Sequence, residues 1–216
     1  QGLLSRDTLL KYVATLTVGV ERVLSGPDVL GGGKLSANLA EGRATLAPVS
    51  LQMPGGSANL SLSYEPGERD VFADLKINVD RFDYGVLGRR LKPGTDLAGR
   101  FSLNVDVRAR APKLSDVIRH GSGTLDFAIW PQEMKAGVFD LWAVNLFLAL
   151  LPTIDPKNES RVNCAVGRFT MSDGKLTQKK LLIDTSKVRV TGNTAIDLSK
   201  ETLHIRLQPQ AKTAQF

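Results

Sequence analysis

The sequence predicts a mainly β protein: a large curved antiparallel sheet, laid out as a meander, groove or folded-over half-barrel, with a few short helices and one apolar helix. Three observations lead there. Segment after segment alternates apolar and polar residues with a period of two, which marks strands with one oily and one wet face. Acidic-Gly and Pro-Gly pairs fall between these segments where tight hairpins need them. One stretch, Gly137 to Leu151 (GVFDLWAVNLFLALL), breaks the alternation with an apolar surface that runs all round a helix.

Composition sets the outer limits. A chain of 216 residues fits one all-β domain with a sizeable core. With 42% hydrophobic and 23% charged residues, neither disorder nor a polytopic membrane protein is indicated. The net charge of +6 favours acidic partners, either anionic lipid head groups or nucleic acid. The charge is dispersed, however. Its densest groups, Arg89-Arg90 with Lys92 and Lys175 with Lys179-Lys180, lack the interleaved aromatics of a single-strand groove, so no nucleic acid is expected. The single cysteine, Cys164, excludes an intramolecular disulfide and a Cys-rich zinc site, and reads as a small core side chain. No signal peptide or spanning helix opens the chain, and Gln1 to Asp7 leads straight into a strand pattern; the expectation is a portion of something longer.

Residues 8 to 24 read as the first strand, with Tyr12, Ala14, Leu16, Val18 and Val20 on one side and Thr15, Thr17, Gly19 and Glu21 on the other. After Gly31-Gly32-Gly33, Leu35, Ala37 and Leu39 alternate with Ser36 and Asn38, and Glu41-Gly42 turns the chain. Ala44, Leu46, Val49 and Leu51 return to Pro54-Gly55-Gly56, and Ala58, Leu60, Leu62 and Tyr64 continue the meander. The cleanest alternation follows, in Val71, Ala73, Leu75, Ile77 and Val79, then Phe101, Leu103, Val105 and Val107. Short helices are predicted at Tyr84 to Leu91 and at Pro112 to His120, the latter closed by Gly121. Leu125, Phe127 and Ile129 form another strand before the apolar helix, which Pro152 ends.

At about 1.5 Å per residue that helix reaches roughly 22 Å, short of the ~30 Å hydrocarbon core. It is too short to span. Val138, Leu141, Trp142, Leu146, Phe147 and Leu150 are expected to plug one end of the sheet or to dock on a bilayer. Beyond it, Gly167 to Leu198 reads like Gly33 to Leu62, with Asp173-Gly174 in the place of Glu41-Gly42. The whole is one domain. An internal duplication over about 29–80 and 160–209 is one reading of the likeness, and the common grammar of alternating hairpins is the other. A last strand runs through Leu203, Ile205 and Leu207.

No catalytic set emerges. His120 and His204 have no metal-ligand spacing, no G-x-S-x-G elbow is present, and Gly31-Gly32-Gly33-Lys34 lacks the frame of a phosphate loop. Asp74, Asp80, Asp106 and Asp126 are spread over polar strand faces. Asn59-Leu60-Ser61 and Asn158-Glu159-Ser160 match the glycosylation pattern, which matters only in a eukaryotic secreted protein. The expectation is a protein that is not an enzyme and holds no metal or cofactor. What the chain does offer is apolar strand faces with few helices to cover them, which need a lid, a partner or a lipid. The expected groove wall comprises Leu35, Leu39, Leu46, Leu60, Leu62, Leu75, Ile77, Val79, Phe101, Leu103, Val105, Leu125, Phe127 and Ile129 in the first part. Phe169, Met171, Ile183, Val188, Val190, Ile196, Leu198, Leu203, Ile205 and Leu207 continue it.

The run GRFTMSDGKL…LLIDTSKVRVTGNTAIDL…LHIRLQP resembles the carboxy-terminal portion of AsmA-like proteins, and LAEGRATL…PGGSANLSL resembles their preceding meander. Phe82-Asp83-Tyr84-Gly85-Val86-Leu87 is similar to their short joining helix, so the likeness extends from about Val29 to Pro209. The resemblance implies a protein of the Gram-negative periplasm, attached to the inner membrane by an amino-terminal anchor absent from this chain. It implies a β-groove carrying phospholipid or another acyl-chain lipid between inner and outer membranes, in support of outer-membrane biogenesis. A membrane surface and outer-membrane protein assembly factors are the further expected partners, and a scaffold that offers its sheet edges to such proteins is the alternative function.

Overall fold

A computed structural model describes residues 4–25, 28–86, 98–132 and 162–212. The apolar helix predicted at Gly137 to Leu151, with Val138, Leu141, Trp142, Leu146, Phe147 and Leu150, lies outside the described residues, as do Arg89, Arg90 and Lys92.

The described chain is mainly β. After a short helix α1 (Arg6–Lys11), eleven strands follow: β1 (Ala14–Ser25), β2 (Asp28–Ala40), β3 (Arg43–Met53), β4 (Gly56–Pro66), β5 (Val71–Asp83), β6 (Ala98–Ala111), β7 (Gly121–Gln132), β8 (Val162–Ser172), β9 (Lys175–Thr185), β10 (Val188–Asp197) and β11 (Thr202–Ala211). All of them form one antiparallel sheet in strict sequence order, β1 to β11, so each strand pairs with its chain neighbours. β1 and β11 each have one partner, and their outer edges are unpaired among the described residues.

Short turns make seven of the ten connections, and longer segments join β5 to β6, β6 to β7 and β7 to β8. Glu41 and Gly42 take φ of 53° and 76°, and Asp173 and Gly174 take 49° and 71°, the doubly left-handed conformation whose twist suits a two-residue hairpin. Gly55, at φ 76°, follows Pro54 as a type II turn requires. β3 carries a bulge: Leu46 and Val49, three apart, face Ala37 and Leu35 on β2 and Leu62 and Leu60 on β4, each two apart. The extra residue keeps both ends of β3 in phase with its neighbours, and it falls at Ala47-Pro48, where proline has no N–H to give the ladder.

Three local predictions are corrected. Residues 8–13 are not the start of the first strand, which begins at Ala14; Arg6–Lys11 form α1. Its helix is favoured by the Ser5 hydroxyl, which accepts from the Thr8 N–H at 3.4 Å, and by Asp7 and Lys11 at the dipole ends suited to their charges. The segment predicted as a helix from Pro112 to His120 instead forms two single 3₁₀ turns, Leu114–Asp116 and Ile118–His120. Gly121 follows at φ −69°, extended, and starts β7 rather than closing a helix in the left-handed region. Of the helix predicted at Tyr84 to Leu91, Tyr84–Val86 are helical and the rest lies outside the described residues.

Candidate functional site: an apolar sheet face with a capped end

Alternation and register together place most of the apolar side chains on one face, with Phe72, Trp130, Val166 and Leu182 on the other. One transverse row runs Val18, Leu35, Val49, Leu60, Ile77, Val105, Leu125, Phe169, crossing from β1 to β8 through directly opposed residues. A second row takes Leu16, Ala37, Leu46, Leu62, Leu75 and Val107, then Gly123, Met171, Leu176, Ile196 and Leu203, and so reaches β11. A third passes through Val79, Leu103, Phe127, Gly167, Leu181, Gly192 and Leu207. With strands about 4.8 Å apart, eleven of them extend such a row over roughly 48 Å.

The register brings together, on this face, all the residues expected to form a groove wall except one. Leu39, Phe101, Ile129, Ile183, Val188, Val190 and Ile205 join those in the rows. Leu198 does not: it follows the end of β10, in the turn before β11, with its N–H donated to the Gly174 carbonyl at 3.1 Å. Leu16, Val18 and Val20 of β1 complete the face on the other side.

Small residues in the rows make room for large neighbours. A Cβ at Gly167 would overlap the Phe127 ring, and one at Gly192 would meet the Leu207 and Leu181 side chains. The larger chains lie over the glycines and keep the surface continuous.

Burial is uneven across the face. Val105, Phe169, Met171, Ile183 and Val190 are buried, whereas Leu16 is 57% exposed on β1 and Leu203 is 55% exposed on β11. Two buried polar side chains of β9 interrupt it: Thr185, whose hydroxyl donates to the Val188 carbonyl at 2.9 Å, and Gln178, which donates its side-chain amide to the Gly192 carbonyl at 2.9 Å and leaves its Oε1 without a partner. The sequence signal for Gln178 was a broken alternation after Leu176, where β9 carries an extra residue against β8.

One end of the face is capped. Leu9 of α1 is buried with Tyr64, Val71 and Ala111, and Leu39, Ala44 and Val117 pack around them. The Tyr64 hydroxyl donates to the Leu4 carbonyl at 3.2 Å, and burial pushes its pKa up. This end stop was missed because four of the six helical residues, 8–11, were absorbed into an apparent strand. A second cluster, Ile183, Val188 and Val190 with Leu207, packs near the opposite ends of β9 and β10.

The other face is polar and laced with charge. Arg43 binds Glu65, Arg108 binds Asp74, Arg110 binds Asp70 and Arg168 binds Asp126, with closest approaches of 2.6 to 2.9 Å. All are open to solvent, so each pair contributes little stability. Asp80 pairs with its neighbour Arg81. Of the two histidines, His120 lies 3.2 Å from Asp173, and His204 sits on β11. Among the described residues no group of three or more His, Cys, Asp or Glu is placed to hold a metal ion, and no helix is long and apolar enough to cross a membrane. Set against family models, curated proteins and solved structures, the chain gives no match.

Proposed function

We propose that this chain is a non-enzymatic lipid-handling module of the Gram-negative envelope. The observation that carries the reading is the set of apolar rows that run across the sheet while the face stays half-open at β1 and β11. A solvent-exposed apolar surface of this extent is unfavourable at about 25 cal/mol per Å², and an acyl chain relieves that cost without any directional chemistry. The likeness of the sequence to AsmA-like proteins supports the same assignment. In it, the sheet curves into a groove, phospholipid moves along the rows between inner and outer membranes, and the activity contributes to outer-membrane biogenesis. The chain then belongs in the periplasm, tethered to the inner membrane, with a membrane surface as its partner at the groove end.

A photoreactive residue placed at Leu51 or Leu62, both on the apolar face, tests the reading. Crosslinks to phospholipid from these sites and none from Ser50 or Ser63, on the opposite face, support it. Equal labelling from both faces contradicts it.

The unpaired edge of β1 favours a second reading, a scaffold for outer-membrane proteins that adds a client strand to the sheet. Crosslinks from Thr17 into a β-barrel client, in place of lipid, select it.

A further inference from the structure

We propose that the polar face of β3–β6 carries a second site, for a neutral, hydroxyl-rich glycan chain. Asn59, Asn78 and Asn104 stand directly opposite one another on β4, β5 and β6. Asparagine is disfavoured within strands, so three in one transverse row run against local propensity, which is where functional positions are expected. Packing does not account for them: all three are exposed. Asn59 accepts from the Ser50 hydroxyl at 2.9 Å, and the carboxamides of Asn78 and Asn104 make no hydrogen bond among the described residues. Each carboxamide offers two donors and an acceptor, repeated at the ~4.8 Å pitch of the sheet.

A recess of about 560 Å³ opens over this row. Its lining takes the residues on either side of Leu60, Ile77 and Val105 along their strands, which places it on the polar face. The β3 bulge at Ala47-Pro48 forms its rim, and bulges of this kind recur beside binding sites. A neighbouring recess of about 530 Å³ shares Ser61 and Lys76 and extends to Phe72, whose half-exposed ring lies under the Arg110 guanidinium at 4.8 Å.

Charge selects the class of ligand. Across the two recesses Arg43 is paired with Glu65 and Arg108 with Asp74, while Lys76 stands opposite Asp106. The formal charges cancel. A phosphate-rich ligand or a nucleic acid calls for a net positive surface, which this face does not provide. Sugar hydroxyls both donate and accept, which matches a row of carboxamides of which two, Asn78 and Asn104, are free among the described residues and the third, Asn59, keeps its two donors.

Titration of ¹⁵N-labelled protein with chitohexaose and with maltohexaose tests the site, with inorganic phosphate as the charged comparison. Saturable shifts of the Asn59, Asn78 and Asn104 side-chain amides with at least one of the sugars are expected. In the double variant Asn78→Val/Asn104→Val, binding should weaken about tenfold. Its melting temperature should not fall, because valine favours a strand. Absence of shifts with both sugars, undiminished binding in the variant, or a stronger response to phosphate overturns the proposal. So does collapse of the variant's fold, which makes the asparagines structural.

Discussion

Phe127 lies across Gly167. The two residues face each other on β7 and β8, and the missing side chain lets the ring stack on Phe169 with centroids 6.2 Å apart and planes 24° from parallel. Gly167→Ala is expected to push Phe127 off the face and lower stability by about 1–3 kcal/mol. Gly19→Ala, where nothing lies within 4 Å of the new Cβ, should change it by less than about 0.5 kcal/mol. Denaturant melts of the two variants separate them.

The two acidic-Gly hairpins look equivalent in sequence but differ in what surrounds the glycine. A Cβ at Gly42 meets only the Leu10 side chain, which can move, whereas at Gly174 it meets the backbone of Arg119. Gly42→Ala should therefore cost about 1 kcal/mol, from its left-handed backbone alone. Gly174→Ala should cost about 3 kcal/mol, since backbone must also shift. Equal losses on thermal melting would remove the distinction.

Leu9, 3% exposed, anchors α1 over the end of the apolar face. Leu9→Ala should destabilise by about 2–4 kcal/mol. Hydrogen exchange should then rise first at the β4–β5 and β6–β7 ends that it covers, leaving β9–β10 protected.

Asp184 ties the far end of β9 to its neighbours. Its carboxylate accepts from the Asn163 amide and from Lys212, with Arg189 farther off, and these donors hold its pKa below the ordinary aspartate value. A lowered folded pKa means that its contribution is full above the ordinary carboxylate range and is lost as pH falls through the lower folded value. The β9–β10 end should loosen at acid pH, read by hydrogen exchange, and Asp184→Asn should flatten that dependence.

Much of the sheet is legible in the chain because a period of two fixes the face of each residue, and the turn chemistry at Glu41-Gly42 and Asp173-Gly174 fixes the connections. Leu60, Ile77 and Val105 could be assigned to one face from alternation alone; that they share a transverse row depends on register, which the turns and bulges set. The three-residue step from Leu46 to Val49 was the visible trace of the β3 bulge. α1 was hidden because Leu9 and Leu10 adjoin a strand pattern and six residues are too few to show helical periodicity. Gln178 and the asparagine row were not legible as sites, since only pairing reveals that Asn59, Asn78 and Asn104 are neighbours.

Native mass spectrometry of the purified protein, produced in a Gram-negative host, tests the lipid assignment most directly. The wild-type chain should carry an acyl-chain lipid. The variant Val18→Asp/Leu62→Asp, altered at two half-exposed positions of the apolar face, should stay folded and lose it. A wild-type chain free of lipid, or a variant that retains as much as the wild type, would contradict the account.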